Sequence, residues 1–295
     1  MLFGEHSAVY GYPAVGIPLP SRTIISIKEG GAGFELGPEL EEYRPVLNDF
    51  RIYLRDLFPA APRFTEKTLS ITTSVPVGAG LGSSAALCAA LSRLLLSRGG
   101  AGPDEANAQW KLANDMEKYF HGSPSGIDTG LALSDVPLAF YFKGYGLPQK
   151  TPLPSMAFDI IYGWVPRKTP AKELIAGVRK QKDDDPRLVK DILSGLGSLA
   201  EEFICQINSG VSNPAKHAGE LADEAHACLS MLGLSDPELD EVLRSAKRAG
   251  AKGGKLSGAG GGGAFWIAAG PGDAAKKIIR EIKKRHSVEC HIIRA

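Results

Sequence analysis

The sequence predicts an α+β protein built as one large or two modest domains. Three observations carry this expectation. Segments of strand character and segments of helix character mix along the chain without the strict alternation of a doubly wound parallel sheet. The 295 residues are enough to bury a full core. Glycine accounts for 35 residues and is concentrated in two tracts, Gly78 to Gly82 and Gly253 to Gly263. Such density in a folded chain marks close backbone approach or turns with φ > 0. A boundary is expected in the stretch Leu153 to Ala157, which follows the proline-bearing LPQKTPLP, dividing the chain into segments 1–155 and 156–295.

The elements follow in order. Gly30-Gly31-Ala32-Gly33 reads as a surface turn. Thr68 to Pro76, TLSITTSVP, alternates apolar and polar residues, is rich in β-branched side chains and ends at a proline, so it reads as a strand. Ser84 to Arg98 is strongly helix-forming and apolar on most faces, hence a buried helix. Asn107 to Tyr119 is a second helix, closing near His121-Gly122. Pro137 to Phe142 and Phe158 to Pro166 read as strands, and Thr169 to Gly250 is mostly helical. After the second glycine tract come a strand, GAFWIAAG, a charged amphipathic helix from Asp273 to Arg285, and a closing strand from Val288 to Arg294.

Composition excludes several classes of function. With a formal net charge of +1, 43% hydrophobic and 23% charged residues, the chain has no electrostatic footprint for nucleic acid or an anionic membrane. The basic groups Lys276-Lys277 and Lys283-Lys284-Arg285 recur at helical spacing and read as solvated helix faces. Cys88, Cys205, Cys228 and Cys290 are scattered, without a C-x-x-C pair or metal-ligand spacing, and Cys88 in its apolar helix is expected to be a buried thiol. The start, MLFGEHSAVYG, lacks the basic and apolar regions of a signal peptide, and no run of about 18 apolar residues could span a bilayer. A cytoplasmic globular protein is the expectation.

The first glycine tract, VPVGAGLGSSAAL from Val75 to Leu87, places a glycine turn between a strand and a helix. It has the makings of a phosphate site, yet it lacks the lysine of a P-loop. Unpaired N–H groups and the positive end of the helix can hold an anion without any lysine. The hydroxyls of Ser83 and Ser84 can cap the helix, bind phosphate oxygens or reach a metal ion.

Four segments in order resemble the GHMP kinases, the family named for galactokinase, homoserine kinase, mevalonate kinase and phosphomevalonate kinase. They are GEHSAVYG (Gly4 to Gly11), PVGAGLGSSAA (Pro76 to Ala86), HGSPSGID (His121 to Asp128) and KLSGAGGGGAF (Lys255 to Phe265). Their order and wording look most like the mevalonate kinase branch, and the resemblance covers nearly the whole chain. It implies an N-terminal domain of the ribosomal S5 type, a ferredoxin-like C-terminal domain and an active site between them. The implied reaction is transfer of the ATP γ-phosphate to the 5-hydroxyl of mevalonate.

The resemblance also implies roles residue by residue. Pro76, Gly78, Ala79, Gly80, Leu81, Gly82, Ser83, Ser84 and Gly260 match the ATP-binding positions. Ser84 and Glu117 match the magnesium ligands, and hard oxygen donors suit Mg2+. Asp128 matches the catalytic aspartate that serves the attacking hydroxyl. Glu5, His6, Ser125 and Thr169 match substrate contacts, Thr169 lying in VPRKTPAKELIAGVR. His217, His226, His286 and His291 match nothing and read as surface or packing residues. A homodimer would be in keeping with the family.

Competing readings stay within reach of the same motifs. Galactokinases continue from G-E-H toward an Asp-Tyr pair that contacts the sugar, whereas here His6 is followed by Ser7-Ala8-Val9-Tyr10-Gly11. Homoserine kinases lack the G-E-H segment, and a phosphomevalonate kinase would be expected to carry more basic residues for its phosphorylated substrate. A weakly active sensor of ATP and metabolite is a distinct alternative. One feature favours it: the branch normally has a lysine five positions before the first glycine of G-E-H. Here that glycine is Gly4, so the matching position falls before Met1. The expectation is an upstream in-frame segment carrying that strand and lysine, the rival being a slow variant that works without them.

Overall fold

The computed structural model describes residues 1–57, 67–96, 103–144 and 146–294. The chain forms two compact units: one of residues 19–77 and 81–133, the other of residues 1–18, 78–80 and 134–295.

In the smaller unit, β4 (Thr68–Thr73) is the central strand of a three-stranded sheet. It pairs antiparallel with β2 (Thr23–Lys28) and parallel with β3 (Gly33–Leu36). Residues 29–32 join these two edge strands and are exposed, as the glycine cluster predicts. The alternation of TLSITT buries Leu69 and Ile71 on one face of β4. The strand ends at Thr73, so Ser74 to Pro76, expected as strand, already belong to the glycine turn.

Helix α1 (Arg44–Leu57) precedes β4, and α2 (Ser83–Leu96), α3 (Pro103–His121) and α4 (Ile127–Ala132) follow it. The expected end of α2 at Arg98 lies outside the described residues. Helix α2 buries Ala85, Leu87, Cys88, Leu91 and Leu95, which explains its apolar faces, and packs its core against Phe50, Leu112 and Met116. Burying side chains of this size contributes about 1.5–3 kcal/mol each.

In the larger unit a four-stranded antiparallel sheet runs in the order β10-β7-β9-β8. The strands are β7 (Asp159–Val165), β8 (Gly253–Leu256), β9 (Gly263–Ala269) and β10 (Glu289–Arg294). Counted along the chain this is fourth, first, third, second, with helices α5 (Ala171–Asp184), α6 (Pro186–Ser209), α7 (Pro214–Met231) and α8 (Pro237–Arg248) inserted between the first two strands. Helix α9 (Asp273–Lys283) connects the third to the fourth. That is the ferredoxin-like arrangement expected of the C-terminal part. Asp185 and Asp236 cap α6 and α8, each with proline in the first turn.

The central strands β7 and β9 are covered on both faces, so they read as near-continuous apolar runs rather than alternating ones. The second glycine tract serves two purposes. A Cβ on Gly253 would collide with the Gly219 carbonyl, so this glycine lets α7 lie directly on β8. Only Gly258 to Gly262 form the loop, Gly263 opening β9.

A second sheet, β1-β5-β6, comprises Ala14–Gly16, Leu138–Tyr141 and Gln149–Pro152. Phe3 bridges to Val15, and Trp266 Nε1 donates to the Leu2 carbonyl at 3.0 Å, so the first residues are built into this core. Because β5 and β6 pair with β1, residues 134–155 pack with the larger unit. The compact units are therefore discontinuous in sequence.

Candidate active site

The chain leaves β4, turns through glycine and enters α2; β4, Leu81 to Ser84 and α2 belong to the smaller unit, and Gly78 to Gly80 are counted with the larger one. Gly78, Gly80 and Gly82 have φ of 75°, 80° and 80°, alternating with residues of negative φ. Alternation of that kind turns successive N–H groups to one side and forms an anion-binding concavity, with the N-terminus of α2 behind it. Neither serine is spent on capping among the described hydrogen bonds. Ser84 Oγ donates to Glu117 Oε1 at 2.8 Å, and Ser83 Oγ pairs with the Tyr43 hydroxyl at 2.8 Å.

Glu117 lies on α3, one turn before His121, whose Nε2 is 3.2 Å from Ser84 Oγ and 3.3 Å from Glu117 Oε1. Its carboxylate is buried, and Oε2 has no hydrogen-bond partner among the described residues. Burial raises its pKa to about 7; the Ser84 hydrogen bond opposes the shift and the neighbouring Asp128 adds to it. A buried hydroxyl and a carboxylate with an unused oxygen are the donors a hard divalent cation takes, with phosphate oxygens completing its shell. The pair therefore fits Mg2+.

Asp128 stands in the first turn of α4 and is exposed. Gly126, at φ 84°, occupies the N-cap position, so Asp128 is not the cap. A Cβ placed on Gly82 would stand 4.0 Å from that of Asp128, which sets the aspartate beside the glycine turn. Buried Trp110 on α3 donates from Nε1 to the Gly126 carbonyl at 2.9 Å and fixes this corner, while Ser125 Oγ accepts from Ile127 N at 3.3 Å.

The larger unit carries a second cluster. Thr169 follows β7 in the segment Pro166–Pro170, which lies along the Gly258–Gly262 loop, Lys168 N donating to the Gly261 carbonyl at 3.0 Å. A Cβ on Gly261 would stand 3.2 Å from the Thr169 Cβ, and one on Gly260 would run into the Leu234 carbonyl. In the same segment Arg167 lies against Gly80 and Gly263: Cβ atoms there would stand 2.5 Å and 2.9 Å from its Nη2. No acidic partner holds Arg167 among the described residues, and its Nε is buried without a hydrogen bond. Burial lowers its pKa.

Glu5 and His6 also belong to this unit. Glu5 is 2% exposed and turns inward, its Oε1 2.6 Å from Nζ of the fully buried Lys255. Burial lowers the lysine pKa while Glu5 holds it up. His6 has φ 58°, unusual for a residue with a side chain, and its Nε2 is 3.2 Å from the Ala259 carbonyl. Desolvation lowers its pKa and favours the neutral ring. Glu5 thus fixes the turn that lays His6 on the glycine loop. Glu5→Gln would leave Lys255 buried opposite a neutral group and is expected to cost about 3–5 kcal/mol. Denaturant melts check this, and a loss below about 1 kcal/mol would contradict it.

Family profiles described as GHMP kinases N terminal domain and GHMP kinases C terminal match residues 49–141 and 211–288. A mevalonate kinase of Pyrococcus horikoshii is 34% identical over 302 residues, covering 91% of this chain and 86% of that protein.

The chain belongs to the GHMP kinase family.

The crystal structure of Leishmania major mevalonate kinase in complex with R-mevalonate superposes on this GHMP kinase with a TM-score of 0.84 at 20% identity, covering 99% and 93% of the two chains. A Lactococcus lactis galactokinase complexed with galactose gives 0.70 at 18% identity, with 99% and 90% covered. At these identities the likeness shows the fold.

The residues picked out by sequence divide between the units. Pro76, Leu81 to Ser84, Glu117, Ser125 and Asp128 lie in the smaller one. Glu5, His6, Gly78 to Gly80, Thr169 and Gly260 lie in the larger one. Sequence reasoning passed over Tyr43, His121, Arg167 and Lys255. His121, Arg167 and Lys255 stand inside segments already quoted for this GHMP kinase, so position in a motif was the available signal. Tyr43 carried none.

Proposed function

We propose that this GHMP kinase transfers the γ-phosphate of ATP to the 5-hydroxyl of mevalonate. The observation that carries the chemistry is Asp128, an exposed carboxylate beside the glycine turn with no hydrogen-bond or ion-pair partner among the described residues. Similarity over nine-tenths of the chain to archaeal proteins named mevalonate kinase supports the choice of alcohol.

In this reading Asp128 accepts the proton of the 5-hydroxyl as that oxygen bonds to the γ-phosphorus, and the bond to the ADP oxygen breaks. The N–H groups of Gly78 to Ser84, with Pro76 at the entry and Gly260 on the second loop, hold the triphosphate. Arg167 is the cation that the lysine-free turn lacks. It lies on Gly80 and has no carboxylate to neutralise it among the described residues. Ser84 and Glu117 hold Mg2+, which when bound neutralises phosphate charge. His6, Ser125 and Thr169 contact the hydroxy acid, whereas Glu5, matched by sequence to a substrate contact, turns inward onto Lys255 and fixes the turn that carries His6.

We keep 1–155 and 156–295 as the N- and C-terminal family segments. We place the enzyme in the cytoplasm: all four cysteines are free, Cys205 exposed among them, which suits a reducing compartment. Among the described residues no helix is long and apolar enough to cross a membrane.

The test is ATP consumption by the purified protein against mevalonate, phosphomevalonate, galactose and homoserine. Mevalonate should be the efficient acceptor. Turnover with galactose or homoserine but not mevalonate would reject the proposal.

A further inference from the structure

The two serines at the head of α2 are neighbours in sequence, yet their hydroxyls are engaged by different partners. Ser84 is drawn toward Glu117 and His121, the cation side. Ser83, only 7% exposed, is drawn the other way, to Tyr43 at the end of the short turn that leads into α1.

We propose that Tyr43 is a positioning residue for the nucleotide: its phenol donates to Ser83 Oγ and leaves the Ser83 hydrogen free to donate to a phosphate oxygen. This rests on the reading that the glycine turn holds ATP.

The direction of the bond follows from the chemistry of the two hydroxyls. A phenol is the stronger acid and so the better donor. Burial raises the Tyr43 pKa further, so the donor stays protonated across the working pH range. Once Ser83 Oγ accepts from Tyr43, its own hydrogen must find another acceptor. Ser83 stands where the turn meets the helix, at the positive end of α2, and hydrogen bonds in a chain strengthen one another. The ring is held independently of the hydroxyl, since its centroid is 5.0 Å from that of Phe120 in an edge-on packing at 68°. Tyr43 can therefore lose its hydroxyl without losing its place.

That separation makes Tyr43→Phe a clean probe. Nucleotide affinity is measured directly by titration calorimetry with MgADP, together with steady-state kinetics and thermal melts of the same samples. Loss of one neutral hydrogen bond to the ligand network is expected to weaken MgADP binding and raise KM for ATP about five-fold. KM for the alcohol and the melting temperature should stay near wild type. Ser83→Ala should do the same, and the double variant should be no worse than either single one. Two results would overturn the inference. One is a lowered melting temperature with unchanged MgADP affinity, the signature of a bond that only supports the fold. The other is additivity of the two substitutions. A different preferred alcohol would refute the choice of mevalonate and leave this inference standing, whereas wild-type protein that binds no MgADP would sink both.

Discussion

Asp128→Asn is expected to lower kcat with mevalonate by about 10²–10⁴-fold, the range general acid–base groups supply, while MgATP affinity stays within about two-fold of wild type. Asp128 is exposed at the start of α4, beside Gly82, and the cap position it could have filled is taken by Gly126. Asparagine keeps the size and position of the side chain but cannot take the proton of the attacking hydroxyl. The carboxylate is not among the groups assigned to the triphosphate, so nucleotide binding should be little affected. Single-turnover kinetics with direct nucleotide titration separates the two terms. A variant that keeps most of its kcat would show that Asp128 is not the proton acceptor.

Glu117→Gln is expected to stabilise the metal-free protein at alkaline pH while weakening its response to magnesium. In the folded protein the Glu117 pKa is raised from 4.5 to about 7, chiefly by burial. The folded state therefore binds this proton more tightly than the unfolded state. Folding takes the proton up between those two values, and stability falls as pH rises through that window. At pH 8 the full cost of an ionised buried carboxylate is present, on the order of 3 kcal/mol for a rise from 4.5 to about 7. Glutamine carries no such cost. Urea melts in EDTA should show the variant ahead by an amount that shrinks as pH drops toward 5, and calorimetry should show its magnesium affinity reduced. A variant no more stable than wild type at pH 8, or a difference that ignores pH, would contradict this. The energetic reason is that a site for a cation is assembled before the cation arrives, at the expense of the empty fold.

What could be read in advance follows the physics of each segment. β7 and β9 were legible because strands covered on both faces are apolar throughout, and α2 because it is apolar on most of its faces. β2 and β3 were not, since both are edge strands, β2 largely exposed and β3 only part-buried, and neither buries a residue fully. The discontinuity of the units was hidden for a different reason. It depends on β1 pairing with β5 across more than a hundred residues, and no local pattern records that register.

The same distinction holds at the candidate site. Backbone sites announce themselves through glycine, so the two loops were found. Ser84 and Asp128 were singled out because their motifs are distinctive in wording, and Glu117 because it lies just upstream of one of them. Arg167, Lys255 and Tyr43 act through what they face: two glycines, a buried carboxylate and a serine hydroxyl. Lys255 in particular is a lysine with no exposure at all, which only the three-dimensional placement of Glu5 explains.

The account's central claim is that this chain phosphorylates mevalonate at its 5-hydroxyl with the residues named above. Its most direct test is phosphorus NMR of the products formed by the purified 295-residue protein from ATP, Mg2+ and R-mevalonate. The account predicts ADP and one new phosphomonoester whose phosphorus couples to the protons of the C5 methylene. ATP consumed to ADP and inorganic phosphate with no such ester, or ATP left intact beside mevalonate, would contradict it.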